Sequence, residues 1–237
     1  MGDGMAGEVS TVSTAWAVFS VIGGSLLGAA ISATVSFWTQ KKNLDAAKAQ
    51  RDSDRFENRK ARAYSVFFKM IRIHSTIAVI DASLADFVQK GKAKGLTALW
   101  QMILPLGNMP DRVKFTPDEM ALLLSLDIDL FNDLGPYDEI HNSLLDIYET
   151  YGSRRTAVLS KFGTDEMDGG TGTHTLSGAD VAWLTPRAYE LNNLATDMIE
   201  RAIHDRAESK GLLERIHALF VKEFGFSRKL EFRELTV

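Results

Sequence analysis

The chain of 237 residues carries 27 Lys and Arg against 31 Asp and Glu, a formal charge of −4, with 45% hydrophobic and 24% charged residues. That balance excludes collagen-like and disordered classes and suits one folded domain with an appendage. The absence of cysteine excludes disulfide frameworks, thiolate zinc sites, iron–sulfur clusters and cysteine nucleophiles.

The charge is unevenly placed along the chain. Residues 1–40 hold Asp3 and Glu8 and no Lys or Arg, whereas residues 41–62 hold eight basic residues (Lys41, Lys42, Lys48, Arg51, Arg55, Arg59, Lys60, Arg62) against Asp45, Asp52, Asp54 and Glu57. The remainder is net acidic and offers no basic face for nucleic acid, so no nucleic-acid partner is expected.

No charged residue stands between Val9 and Gln40. Residues 15–38 as a helix would span ~36 Å, enough for a hydrocarbon layer of ~30 Å with some tilt. Trp16 near one end, and Phe37 with Trp38 at the other, suit the two interfaces. A secretory signal would want a basic flank and a shorter apolar run, and Ala6 occupies the position where myristoylation wants Ser or Thr. The expected layout is a short extracytoplasmic N-terminus over 1–12, a transmembrane helix over 13–38, a basic helical stalk over 39–62, a cytoplasmic helical bundle over 63–225 and a C-terminal arm over 226–237. The predicted fold is therefore all-α: a single N-terminal span continuing into an up-and-down bundle.

Within the span Ser20, Gly24, Gly28 and Ser32 recur every fourth residue and form a strip of small side chains. In lipid such a strip lets a second helix approach closely, and the pattern predicts a homo-oligomer packed through it. Small residues are also common in spans that pair with nothing. Lys41, Lys42, Lys48 and Arg51 follow the span closely, which predicts a cytoplasmic C-terminal side and attraction to anionic lipid headgroups, at ~1 kcal/mol per basic residue near the surface.

From Ala63 the apolar residues adopt a 3,4 spacing (Ala63, Val66, Met70, Ile73, Ile77, Ile80, Leu84, Phe87), widened by Phe67, Ile71, Ala78 and Val88. That is the stripe of a bundle helix. An apolar helical piece is expected over 96–104, ending at Pro105. Thr116, Pro117 and Glu119 have the spacing of a capping box with proline in the first turn, opening a helix expected to run to Leu134. Another is expected over 137–162, with Tyr137, Ile140, Leu144, Ile147, Tyr151, Val158 and Phe162 on one face. Residues 164–178 are Gly-rich and predict an exposed loop; without Lys they make no P-loop. Ser177 to Asp180 should cap a short turn. Pro186 should open the last long helix, running to about Phe224, with Leu191, Leu194, Ala195, Met198, Ala202, Ile203, Leu212, Ile216, Leu219 and Phe220 inward and Gly211 as a bending point. The tail suits a short strand or an extended arm.

Candidate chemistry is thin. A di-metal bundle wants inward Glu and Glu-x-x-His from facing helices. Glu214 with His217 matches, Asp138 with His141 is only an Asp variant, and the first bundle helix offers Asp81 and His74. Glu200 and His204 lack the second His of a helical zinc motif, and no nucleophile elbow, kinase signature or dinucleotide fingerprint occurs. No catalytic, cofactor-binding or metal residue is assigned. The expected function is a non-enzymatic, membrane-anchored scaffold or signalling module that self-associates and recruits or senses a cytoplasmic protein, with a bacterial inner membrane as the expected location. Two alternatives remain: an oligomeric membrane-disrupting effector or channel, and a membrane-tethered metalloenzyme.

Overall fold

A computed structural model describes residues 11–162, 167–168, 171–172, 175–227 and 230–232, and within them all side chains but those of 11–31, 33, 167–168 and 171–172. The helices are α1 (Thr11–Ala93), α2 (Leu99–Met102), α3 (Pro117–Leu126), α4 (Ile128–Leu134), α5 (Tyr137–Phe162) and α6 (Gly178–Phe224). Among the described residues the protein is all-helical apart from the two-residue strands β1 (Met167–Asp168) and β2 (Thr171–Gly172), paired antiparallel with Met167 opposite Gly172. The rest of the Gly-rich loop expected over 164–178 lies largely outside the described residues. The chain divides into two compact units, Met1–Asn58 and Arg59–Val237.

In the first unit every described side chain from residue 34 to 58 is exposed. Thr39 donates its hydroxyl to the Val35 carbonyl at 2.8 Å, which satisfies a polar group inside its own helix. Among the described residues one helical stretch, Thr34–Ala93, is long and apolar enough to cross a membrane. Its most apolar described part is the stripe from Ala63 to Ile80, and that stripe is buried in the second unit. The uncharged segment 13–38 precedes it.

In the second unit Ala63, Val66, Met70, Ile73, Ile77, Ile80 and Leu84 are all buried, as their spacing requires. Running order follows from the contacts. Phe67, His74 and Asp81 of α1 meet His217, Ser209 and Arg206 of α6, so the two helices are antiparallel. Tyr137, Ser143 and Phe162 of α5 meet Asp205, Arg201 and Trp183, so α5 is antiparallel to α6 as well. The two helices α1 and α5 thus run in the same sense. The return between them is made by an extended strap, residues 103–116: Phe115, Val113 and Ile103 bond in turn to Asp138, Asn142 and Tyr151 of α5.

Four expectations change here. The piece over 96–104 is helical only at Leu99–Met102, because α1 continues to Ala93 and closes at Gly95, whose φ of 78° suits glycine alone. The helix expected from Met120 to Leu134 is broken at Asp127, whose carboxylate accepts from the Leu130 N–H at 2.8 Å and caps α4. Pro186 does not open α6 but lies inside it, since the Ser177–Asp180 capping box starts the helix earlier. Around the proline, Thr185 donates to the Val181 carbonyl at 2.7 Å and Arg187 to the Trp183 carbonyl at 2.8 Å. Ile203 is 58% exposed rather than inward, because the buried line of α6 passes through Asp205 and Ser209 instead. The tail, expected as a short strand or an extended arm, forms no strand in its described residues; Phe226 is buried and stacks on Tyr64 at 4.1 Å between centroids.

Candidate functional site

Ser20, Gly24, Gly28 and Ser32 all lie on α1. Of this row Ser32 alone has a described side chain, and it is exposed; the other three fall outside the described side chains. Lys41, Lys42, Lys48 and Arg51 are exposed on the same helix. So are Val35, Phe37 and Trp38 just before them, with Trp38 75% exposed. Apolar and aromatic side chains thus stand uncovered for about one turn, and the basic cluster begins at once after them. Within a soluble core helix such residues would be covered.

The second unit keeps its polar groups inside. Glu119, 4% exposed, accepts from Lys69 at 2.7 Å, Ser65 at 2.5 Å and the Thr116 N–H at 2.6 Å. Burial works to raise its pKa, but these donors outweigh it and hold the carboxyl below its ordinary value. Tyr148 and Tyr151 donate to the Leu104 and Ile103 carbonyls at 2.9 and 2.8 Å, and burial pushes both phenols up. Arg155, 5% exposed, donates Nε to the Trp100 carbonyl at 3.1 Å, and burial lowers its pKa. His141 is fully buried; its Nδ1 meets Asn142 Oδ1 at 3.2 Å, its Nε2 has no partner, and burial lowers its pKa.

The potential di-metal ligands are not brought together. His74 Nδ1 bonds Ser209 Oγ at 2.8 Å, Asp81 pairs with Arg206 at 2.7 Å, Asp138 accepts from the Phe115 N–H at 3.0 Å, and His217 lies against the Phe67 ring. Each is engaged in holding helices or the strap. A different grouping is closer. His204, Asp205 and Glu208 of α6 each place one ligand-type atom within 4.8 Å of the other two. No family model, characterised protein or solved structure matches this chain.

Where α5 meets the start of α6, Trp183 stands between two cations, with Lys161 Nζ 3.9 Å and the Arg187 guanidinium carbon 4.1 Å from its ring centre. Phe162 meets it edge-on at 5.6 Å. Beside it a cleft of about 180 Å³ is lined by Arg154, Val158, Arg187 and Leu191 among others. Sequence reasoning missed His141, Tyr148 and Arg155 as interior positions, although they continue the 3,4 spacing of Tyr137, Leu144, Tyr151 and Val158. Reading the spacing without regard to polarity would have found them.

Proposed function

We propose that the protein is a single-pass membrane-anchored helical module, with its N-terminus outside and a helical bundle in the cytoplasm, which self-associates through its span and recruits or senses a cytoplasmic protein. The observation carrying this reading is the abrupt change along α1. An uncharged stretch ends in exposed Phe37 and Trp38 and passes directly into exposed Lys41, Lys42, Lys48 and Arg51. Aromatic rings favour the interface, and basic residues beyond it are retained on the cytoplasmic side. The buried polar contacts of the second unit hold helices and strap in place, which suits a rigid recognition body.

The small-residue row from Ser20 to Ser32 is the proposed contact between spans. Crosslinking with mass measurement in native membranes tests it. Wild type should give a defined oligomer, and leucine at Gly24 and Gly28 should reduce it to monomer. Unchanged assembly would remove the role of that row. Membrane extraction tests the anchor, since a chain found freely soluble without detergent has no span. A bacterial inner membrane is the proposed setting.

A further inference from the structure

The buried line of α6 advances by threes and fours through Leu191, Ala195, Met198, Ala202, Asp205, Ser209, Leu212, Ile216 and Phe220. Eight of these nine are apolar or carry a small hydroxyl; Asp205 is a carboxylate, and only 5% of it is exposed. Its Oδ2 has no hydrogen-bond partner. Buried carboxylates are normally paired or bound to a cation, because transfer from water is otherwise very costly. Ser209, four residues on, is satisfied by His74 and by the Arg206 carbonyl. Asp205 Oδ2 has no such partner.

Its neighbours supply what a cation would need. Glu208 is one turn along α6 on the same side, and His204 stands one turn before Glu208, with Nε2 3.3 Å from Glu208 Oε1. One carboxylate oxygen of Asp205 completes a group whose three ligand atoms lie within 4.8 Å of one another. Ligands at ~2.0–2.2 Å from one ion are separated by no more than ~4.4 Å, so atoms already within 4.8 Å of one another need only a small further approach to share a centre. His204 and Glu208 are largely exposed, with 69% and 49% of their side chains accessible, so an ion can enter from solvent. The backbone under the group is already held, because the Tyr137 hydroxyl donates to the Asp205 carbonyl at 2.8 Å. Arg201, one turn before Asp205, donates NH1 to Ser143 Oγ at 3.2 Å, and its charge acts on the Asp205 carboxylate without a hydrogen bond to Oδ2.

We propose that His204, Asp205 and Glu208 form a three-ligand site for a divalent first-row transition-metal ion such as Zn²⁺. One imidazole and two carboxylates favour zinc over magnesium or calcium, which take oxygen ligands, and two negative charges match the ion. Three protein ligands leave a fourth position open on the exposed side of α6, for water or for a donor from a partner. The site does not depend on the membrane reading.

The test is calorimetric titration of the full chain, purified in detergent, with Zn²⁺ alone. One ion should bind per chain, and His204→Ala and Glu208→Gln should each weaken binding at least tenfold. Both residues lie at the surface, so neither variant should unfold the protein. His217→Ala, elsewhere on α6, should bind as wild type does. Asp205→Asn should also weaken binding, and zinc should raise the melting temperature of wild type but not of Glu208→Gln, reversibly with a chelator. Absence of stoichiometric uptake, or uptake equally strong in His204→Ala and Glu208→Gln, overturns the site.

Discussion

Asn142 and Val113 exchange two hydrogen bonds: the Val113 N–H donates to Asn142 Oδ1 at 3.1 Å, and Asn142 Nδ2 donates to the Val113 carbonyl at 2.8 Å. One side chain thus does for the extended strap what a neighbouring strand would do in a sheet. Val113 is only 4% exposed, so its backbone groups have no water to fall back on. Replacing Asn142 with Leu leaves both unpaired and should lower unfolding free energy by ~2–4 kcal/mol, read by urea denaturation. A loss below half a kilocalorie would show that the strap is held by its apolar contacts alone.

Gly91 lies against the strap's other end. A Cβ built there would stand 2.4 Å from Met102 Cγ and 2.6 Å from Met102 Cβ, so α1 and α2 approach as closely as they do only because the residue is glycine. Gly91→Ala should cost ~1–3 kcal/mol through overpacking. Adding Met102→Gly, which removes both crowded atoms, should recover part of that loss, although it removes a buried side chain of its own. A double variant less stable than the sum of the singles would refute the clash.

His141 and His74 give a pH dependence whose sign is set by burial. Both are held below the ordinary value of 6.5, His141 by burial with Arg72 adding to it, and His74 by burial with Arg206 and Lys210 adding to it. In the unfolded chain each takes up a proton near 6.5 while the folded form stays neutral to lower pH. Stability from these groups is therefore present above 6.5 and lost as pH falls below it, at up to ~1.4 kcal/mol per pH unit for each proton. Urea midpoints at pH 7.5 and 5.5 should differ in that direction, and His141→Gln should flatten the slope. Glu119, held low by its donors, adds a second loss of stability at more acid pH, once the solution falls below the ordinary carboxylate range.

Trp183 joins the start of α6 to the end of α5 through Lys161 and the Phe162 edge, and Arg187 of its own helix packs on the same ring. Trp183→Ala should remove two cation–π contacts, each worth ~0.5–1 kcal/mol at such a partly exposed place, together with the ring's packing. Amide exchange should quicken near residues 158–162 and 178–187 while the centre of the bundle keeps its protection. Uniform loosening of all helices would mean that this junction is not a local lock.

Much of the helical architecture is written in the order of residues. The stripe from Ala63 to Leu84, the capping box at Thr116 and Glu119 and the bounds of α5 each depend on neighbours within a turn or two, and periodicity reports such neighbours directly. The uncharged segment 13–38 and the basic residues after it are likewise properties of the chain itself. What only the tertiary structure decided are the places where a local signal met a distant partner. Pro186 reads as a helix start, yet earlier capping at Ser177 carries α6 through it; Asp127 falls inside the helix expected to run to Leu134, yet its carboxylate caps α4 and splits that helix into two. The strap over 103–116 has no period of its own, since its hydrogen bonds are made by Asp138, Asn142 and Tyr151 of a helix that follows it in the chain. Asp205 and His141 sit on buried lines that polarity hides from a hydrophobic pattern. Helix periodicity is a short-range property, whereas the burial of a charge and the satisfaction of an extended backbone are settled by residues far away in sequence, and only the folded chain brings those together.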